Sequence, residues 1–234
     1  MKKAIAILLL CVVAVAGVMA GAELKFQPAR LFDSVSVNVG FDMFTASAKG
    51  YDLLRNPYDI KSDAMGASVG ITTLIDYSEI PDFLKKGWYG YDDIVVFFPN
   101  RITIKDTVYD KESGYSRFGL KAHSGVVRKV DFGIPVHFYL GAGFSYGMAY
   151  VWQKSDDSST SASAQAFGAG LLAMAEYAFG DHFAVTLTVN NDFTFLSRVV
   201  ETDISYKGSE TIVRHTSFGF GYELSAMAGI KYIF

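Results

Sequence analysis

Phe218-Gly219-Phe220-Gly221-Tyr222-Glu223-Leu224-Ser225-Ala226-Met227-Ala228-Gly229-Ile230-Lys231-Tyr232-Ile233-Phe234 closes the chain, and its reading decides the fold. Every second residue is apolar: Phe218, Phe220, Tyr222, Leu224, Ala226, Ala228, Ile230, Tyr232 and Phe234. The residues between them, Gly219, Gly221, Glu223, Ser225, Met227, Gly229, Lys231 and Ile233, are mostly small or charged. Successive side chains of a strand point to opposite faces, so the two sets separate onto two faces of one strand. The run is about twice the usual strand length. An apolar face opposite a small or ionic one, sustained this far, suits a strand that crosses a membrane in a closed barrel.

The other end of the chain agrees. Met1-Lys2-Lys3 is a basic start, and residues 4–16 form an unbroken apolar run before small residues around Ala20 and Ala22. This predicts a secretory signal peptide over residues 1–22, too short and wrongly flanked for a spanning helix. Residues 23–234 then form a single barrel domain. Cys11 does not read as a lipidation site, because Leu10 precedes it and Val12-Val13-Ala14 continues the apolar run. Removing the signal takes away two lysines, so the formal charge moves from −3 to −5, and it removes the one cysteine. Disulfide and thiolate chemistry are thereby excluded, and a mildly acidic chain offers no nucleic-acid footprint.

Hydrophobic residues make up 50% of the chain, yet no apolar run past the signal approaches the roughly 20 residues a membrane helix needs. Alternating strands resolve that tension. Val35, Val37, Val39, Phe41 and Met43 alternate with Ser36, Asn38, Gly40 and Asp42, and Met65 through Ile75 repeat the pattern. Further runs lie over residues 136–152, 167–179 and 183–195. Two weaker strands are expected over residues 92–104, interrupted by Pro99 and Asn100, and 115–128. The sum is an all-β, eight-stranded antiparallel transmembrane β-barrel, with an even strand number as bacterial single-chain barrels require. Residues 78–91 read as a short helical turn.

Connections alternate in length. Gly180-Asp181 and residues 129–135 are short, whereas residues 48–62, 106–114, 153–163 and 201–214 are long and polar. Short turns belong in the periplasm and long loops outside, which places both termini in the periplasm. Tyr177, Phe179, Phe183, Tyr232 and Phe234 fall at one level. Tyr150, Trp152, Phe193, Phe195, Phe218 and Phe220 fall at the other, as two aromatic girdles would. Ser155 to Ser161 reads as a solvated tip without a fold of its own, and Tyr51 to Tyr58 as either a small exposed apolar patch or, more commonly, a cover packed over the barrel mouth. Asn191 breaks the outward register, which suggests a bulge near it.

The terminal alternation Ala226-Ala228-Ile230-Tyr232-Phe234, the leader and the eight-strand layout together resemble the small outer-membrane proteins of the outer-membrane protein W and outer-membrane protein A barrel types. The resemblance is architectural, and it favours a stand-alone barrel of the W-like type. It implies a location in the bacterial outer membrane and reads the five terminal residues as the signal for the barrel assembly machinery. It also implies a narrow passive channel for small solutes, hydrophobic ones among them. The alternatives are a closed-lumen structural or adhesive surface protein whose loops bind an external partner, and a soluble lipocalin-type barrel with the opposite polarity. Expected partners are outer-membrane lipid, the assembly machinery, and either a small hydrophobic solute or an extracellular partner.

Candidate chemistry is sparse. Gly143-Phe144-Ser145-Tyr146-Gly147 fits the hydrolase G-x-S-x-G pattern, but that pattern has meaning only at a strand-to-helix elbow. Here it lies inside the longest alternating run, so no enzyme is expected. His123, His137, His182 and His215 lack metal-site spacing, with His123 and His137 sharing the inward register; no metal or cofactor is expected. The inward register instead collects charges: Asp42, Lys121, Glu176, Asp192, Glu223 and Lys231, with Arg117 beside them. An eight-stranded barrel is just wide enough for its side chains. Burial of ions is expensive unless they pair, so these residues are predicted to form one lumen network with Lys121 and Lys231 as its cations.

Overall fold

The computed structural model describes residues 32–51, 57–76, 87–104, 107–154, 158–205 and 210–234, with backbone alone at 50–51, 203–205 and 210–218. The predicted signal peptide, the tip of the 51–58 segment and most of the predicted helical turn lie outside these residues. The described residues are all β, without helix. The strands are β1 (Phe32–Tyr51), β2 (Pro57–Asp76), β3 (Trp88–Ile104), β4 (Thr107–Tyr109), β5 (Ser116–Asp131), β6 (His137–Lys154), β7 (Ser158–Ala178), β8 (Phe183–Ser205) and β9 (Glu210–Ile233). All pairings are antiparallel. Eight long strands close into a ring, β1 to β2, β3, β5, β6, β7, β8, β9 and back to β1. The three-residue β4 is a ninth strand the sequence reading lacked; it pairs with the end of β3, beyond the stretch of β3 that pairs with β5.

The six strongly alternating runs fold as strands with the faces assigned from sequence. Val39, Ile94, Phe144, Leu171, Leu187 and Ile230 are exposed on the outer wall. Asp42, Lys121, Glu176, Asp192, Glu223 and Lys231 are buried inside it. Trp88 to Tyr91, predicted within a helical turn, instead begin β3. Gly87 turns into that strand with φ +91°, and Gly180 makes the tight β7–β8 turn with φ +80°. At that end Phe183 packs on Phe179 at 6.2 Å and on Tyr232 at 5.5 Å, and Tyr232 packs on Phe234 at 5.3 Å. Phe118, Tyr150 and Trp152 cluster toward the other end, with ring centroids 5.5 to 5.8 Å apart.

The long connections are largely strand rather than loop. β1 and β2 stay in register as far as Tyr51 and Pro57, and β6 and β7 as far as Lys154 and Ser159. Ser158 to Ser161, read from sequence as an unstructured tip, therefore belong to β7. Tyr58 packs against a buried apolar cluster, as a segment folded over the barrel mouth would. With strands of 16 to 24 residues, the wall runs on the order of 50–80 Å along the chain direction. A membrane-spanning strand needs only about 9–11 residues. The surplus stands beyond the apolar band as a collar.

In this collar the polarity of the wall inverts. Outside are ion pairs such as Lys49–Asp59 at 3.0 Å and Arg101–Asp63 at 3.8 Å. Inside is an apolar core of Phe44, Ile60, Phe97, Ile102, Ile104, Val151 and Val199 with a set of alanines. Phe44, turned inward by the alternation of β1, belongs to this core, and an apolar interior beneath a polar outer surface is what any water-facing barrel needs.

Two bulges mark the change of storey. On β3, Asn100 is the extra residue between Pro99 and Arg101, which relieves the ladder of proline's missing donor. On β8, Phe195 is extra between Thr194 and Leu196. Asp192 and Thr194 are buried before it, Ser197 and Val199 after it, so the inward parity flips at Phe195. The predicted bulge near Asn191 thus exists four residues further on. Asn191 itself keeps the outward register, opposite Leu171 and Leu224.

Candidate functional site

The lumen below the apolar core holds polar side chains around a second, smaller apolar cluster of Leu74, Tyr91, Val127, Tyr139, Leu172 and Met174, each placed by the inward register of its strand. All six predicted residues are there, but they form two clusters rather than one. In the upper cluster Lys121 Nζ on β5 lies 3.3 Å from Asp42 Oδ1 on β1 and 3.9 Å from Glu223 Oε2 on β9. Asp192 on β8 faces Glu223 directly across the ladder and lies 3.5 Å from His123 Nε2. In the lower cluster, near the short-turn end, Lys231 bonds Glu176, approaches Asp33 at 3.7 Å and lies 5.0 Å from the centroid of the Tyr139 ring. Arg117, the further inward cation, has two buried guanidinium nitrogens without a hydrogen-bond partner among the described residues.

Between the clusters runs a chain of neutral groups anchored on a carboxylate that sequence reasoning missed. Asn38 Nδ2 donates to Thr72 Oγ1 at 2.8 Å, and Thr72 Oγ1 donates to Asp93 Oδ1 at 2.9 Å. Asn190 Nδ2, from the opposite side of the ring, donates to Asp93 Oδ2 at 3.1 Å. Thr186 Oγ1 donates to Asn38 Oδ1 at 3.3 Å. Asp93 escaped notice because the first half of β3 shows little contrast: its outward positions include Gly90 and Asp92. Asp33 escaped because it is the extra residue of a bulge in β1, which breaks simple alternation at that point.

Small residues make room for this interior. A side chain on Gly147 would strike the Glu223 carboxylate and the Phe44 ring, and one on Gly119 would strike the Phe97 ring. Packing thus accounts for Gly147 of the G-x-S-x-G sequence, and Gly143, whose added Cβ would meet the backbone of Ser124 and Gly125, is likewise a close-approach glycine. Ser145 does sit opposite His123 across the β5–β6 ladder, with Asp192 beyond, so the residue types of a nucleophilic triad are neighbours. However, Ser145 Oγ makes no hydrogen bond to the imidazole, and all three are buried beneath the apolar core. A triad needs a bonded nucleophile and base with substrate access. His137, whose ladder partner is Glu176, lies in the lower storey away from His123. Among the described residues no group of three or more His, Cys, Asp or Glu is placed to hold a metal ion.

Electrically, the upper storey is acidic. Asp42, Asp192 and Glu223 gather around Lys121, the sole lysine or arginine of that cluster among the described residues, with Asp93 in the chain of neutral groups beyond. Such a compartment repels anions, and its ionic crosslinks tie β1, β5 and β9 across the lumen. Ala226, Ala228, Ile230, Tyr232 and Phe234 all lie exposed on the outer face of β9 and its end, where they stand apart from the lumen.

No family model matches the chain, and no curated protein matches it in sequence. Among solved structures, a major outer membrane protein from Thermus thermophilus is 14% identical with a TM-score of 0.52, covering 86% of this chain and 99% of that one. OprG from Pseudomonas aeruginosa is 12% identical over 88% of this chain and 97% of its own, with a TM-score of 0.47. Neisserial surface protein A is 18% identical over 86% and 99%, with a TM-score of 0.44. The first of these likenesses carries the conclusion on fold: this chain is an antiparallel β-barrel of the small outer-membrane type.

Proposed function

We propose that this protein is a bacterial outer-membrane barrel, with both termini in the periplasm, that holds a closed and rigid β-collar at the cell surface. The observation that supports it is the stacking within one lumen of an apolar core on two ionic clusters. Phe44, Phe97, Ile102 and Val151 fill the collar, and Asp42–Lys121–Glu223 ties opposite walls together directly beneath. A hydrated ion meets an apolar stopper from one side and buried, crosslinked charges from the other. Binding then belongs to the collar rim, where connections on a rigid scaffold meet solvent. No catalytic role, cofactor or nucleic-acid partner is part of this reading.

In planar bilayers the folded protein is expected to give no unitary conductance, and Phe44→Ala with Phe97→Ala is expected to introduce it. Well-resolved conductance steps from the unaltered chain would overturn the reading. The terminal residues on β9 are read as the element recognised by the assembly machinery; deleting Phe234 should lower the assembled fraction in cells and leave refolding in detergent intact.

A second reading, a narrow passage for small hydrophobic solutes, is favoured by one feature of the collar. Ala46, Ala48, Ala149, Ala162, Ala164 and Ala166 line it with side chains too short to fill a lumen by themselves. A solute of that chemistry would enter the apolar storey and leave through the wall, because charge blocks the way down. Faster entry of an apolar dye into protein-bearing vesicles than into bare ones would favour this second reading.

A further inference from the structure

We infer that the outer wall carries a binding site for a phosphate-bearing lipid, centred on Arg198 at the upper edge of the apolar band. A groove of about 340 Å³ crosses β6, β7 and β8 there, lined by Tyr146, Gln165, Phe167, Leu196 and Arg198 over a floor of Ala166 and Ser197. The ladder sets these residues in two rows. Tyr146, Phe167 and Leu196 lie opposite one another in the row nearer the band, with the Tyr146 and Phe167 rings 5.5 Å apart. Gln165 and Arg198 lie opposite one another in the next row toward the collar. The groove is thus greasy below and polar, with a cation, above: the profile of an amphiphile standing in a leaflet with its head toward water.

The bulge at Phe195 creates this site. Without the extra residue, Arg198 would share the inward parity of Asn190, Asp192 and Thr194; with it, Ser197 and Val199 turn in and Arg198 turns out. A strand that uses a bulge to expose an arginine at the membrane edge places that charge outside by construction. Its described outward neighbours on β7 and β8, Leu196, Val200 and Gln165, offer no carboxylate, and no ion pair among the described residues involves it. A guanidinium matches a phosphate bidentately, and tyrosine and glutamine beside it add a hydroxyl and an amide. The occupant is therefore a lipid whose headgroup carries phosphate, with its acyl chains against Phe167 and Leu196. The inference rests on the apolar band lying in a bilayer, as the proposed function has it, and does not depend on whether the lumen is closed.

Native mass spectrometry of the full-length folded protein in a neutral detergent tests it, with short-chain phosphatidylglycerol, short-chain phosphatidylcholine and inorganic phosphate as separate probes. Phosphatidylglycerol should be retained best, and Arg198→Gln should weaken its retention roughly fivefold or more. Lys154→Gln, a collar cation away from the groove, should leave retention unchanged, and a heat-modifiable gel shift confirms that each variant is folded. Equal retention by Arg198→Gln overturns the site. Retention of inorganic phosphate as strong as that of the lipid makes it a free-anion site and overturns the lipid assignment. Loss of the preference for phosphatidylglycerol in Phe167→Ser with Leu196→Ser supports the role of the acyl chains.

Discussion

Lys121 on β5 reaches Asp42 on β1 at 3.3 Å although β2 and β3 separate the two strands around the wall, so the ion pair spans the lumen. Both side chains are almost completely buried, and Glu223 shares the same ammonium. Removing the cation alone leaves carboxylates without compensation. Lys121→Met is expected to destabilise the folded barrel by roughly 3–5 kcal/mol in urea titrations. Adding Asp42→Asn should return part of that loss, because the two changes are coupled.

Gly119 lies against the ring of Phe97, which is fully buried in the collar core. Gly119→Val is therefore expected to cost about 1–3 kcal/mol by overpacking, read as a lower thermal midpoint of the gel-shift transition. Shortening the ring in the same chain, Phe97→Ala, should make the valine tolerable. A glycine needed only for backbone freedom would show no such rescue.

Leu187 is exposed near the middle of the apolar band, and Val108 is exposed on the short β4 beside the collar. Leu187→Lys should cost roughly 2–4 kcal/mol and Val108→Lys about 0–1 kcal/mol in lipid vesicles, since only the former places an ammonium in hydrocarbon. Equal costs at the two positions would contradict the division of the wall into a lipid-facing band and a water-facing collar.

Tyr109 on β4 is buried against the collar core and meets Tyr115 edge-on at 4.8 Å. Burial, with Tyr115 and Glu201 adding to it, pushes its phenol above the ordinary value. The unfolded chain loses that proton near pH 10 while the folded one retains it. Below that pH both states are neutral and the group has no effect; above it stability falls until the folded phenol ionises. An ultraviolet titration should show late-ionising tyrosines, one fewer of them in Tyr109→Phe.

Much of this was legible in the sequence, and the physical reason is contrast. Where one side is apolar and the other ionic or small, as in Gly219 to Phe234, period-two alternation gives both the strand and its facing. The same alternation sent all six charges inward. Where contrast is lost the reading fails. Ser158 to Ala164 are small on both faces, so the β7 extension reads as a loop, and in the collar the inside becomes apolar while the outside becomes polar. Pro99 marks the bulge at Asn100, but those at Asp33 and Phe195 shift parity without any residue type that announces them. Pairing across the lumen is a further limit: nothing local in the chain joins Lys121 to Asp42 and Glu223, or Asn190 to Asp93.

A nitroxide scan along β8 tests the two-storey barrel most directly. Labels at Val185, Leu187, Val189 and Phe193 in lipid vesicles should be accessible to oxygen and shielded from a water-soluble nickel reagent. Labels at Arg198 and Val200 should show the reverse, with the change of parity falling at Phe195. Uniform access of nickel from Val185 through Val200 would mean that no part of this wall lies in lipid, and the account of the barrel would be wrong.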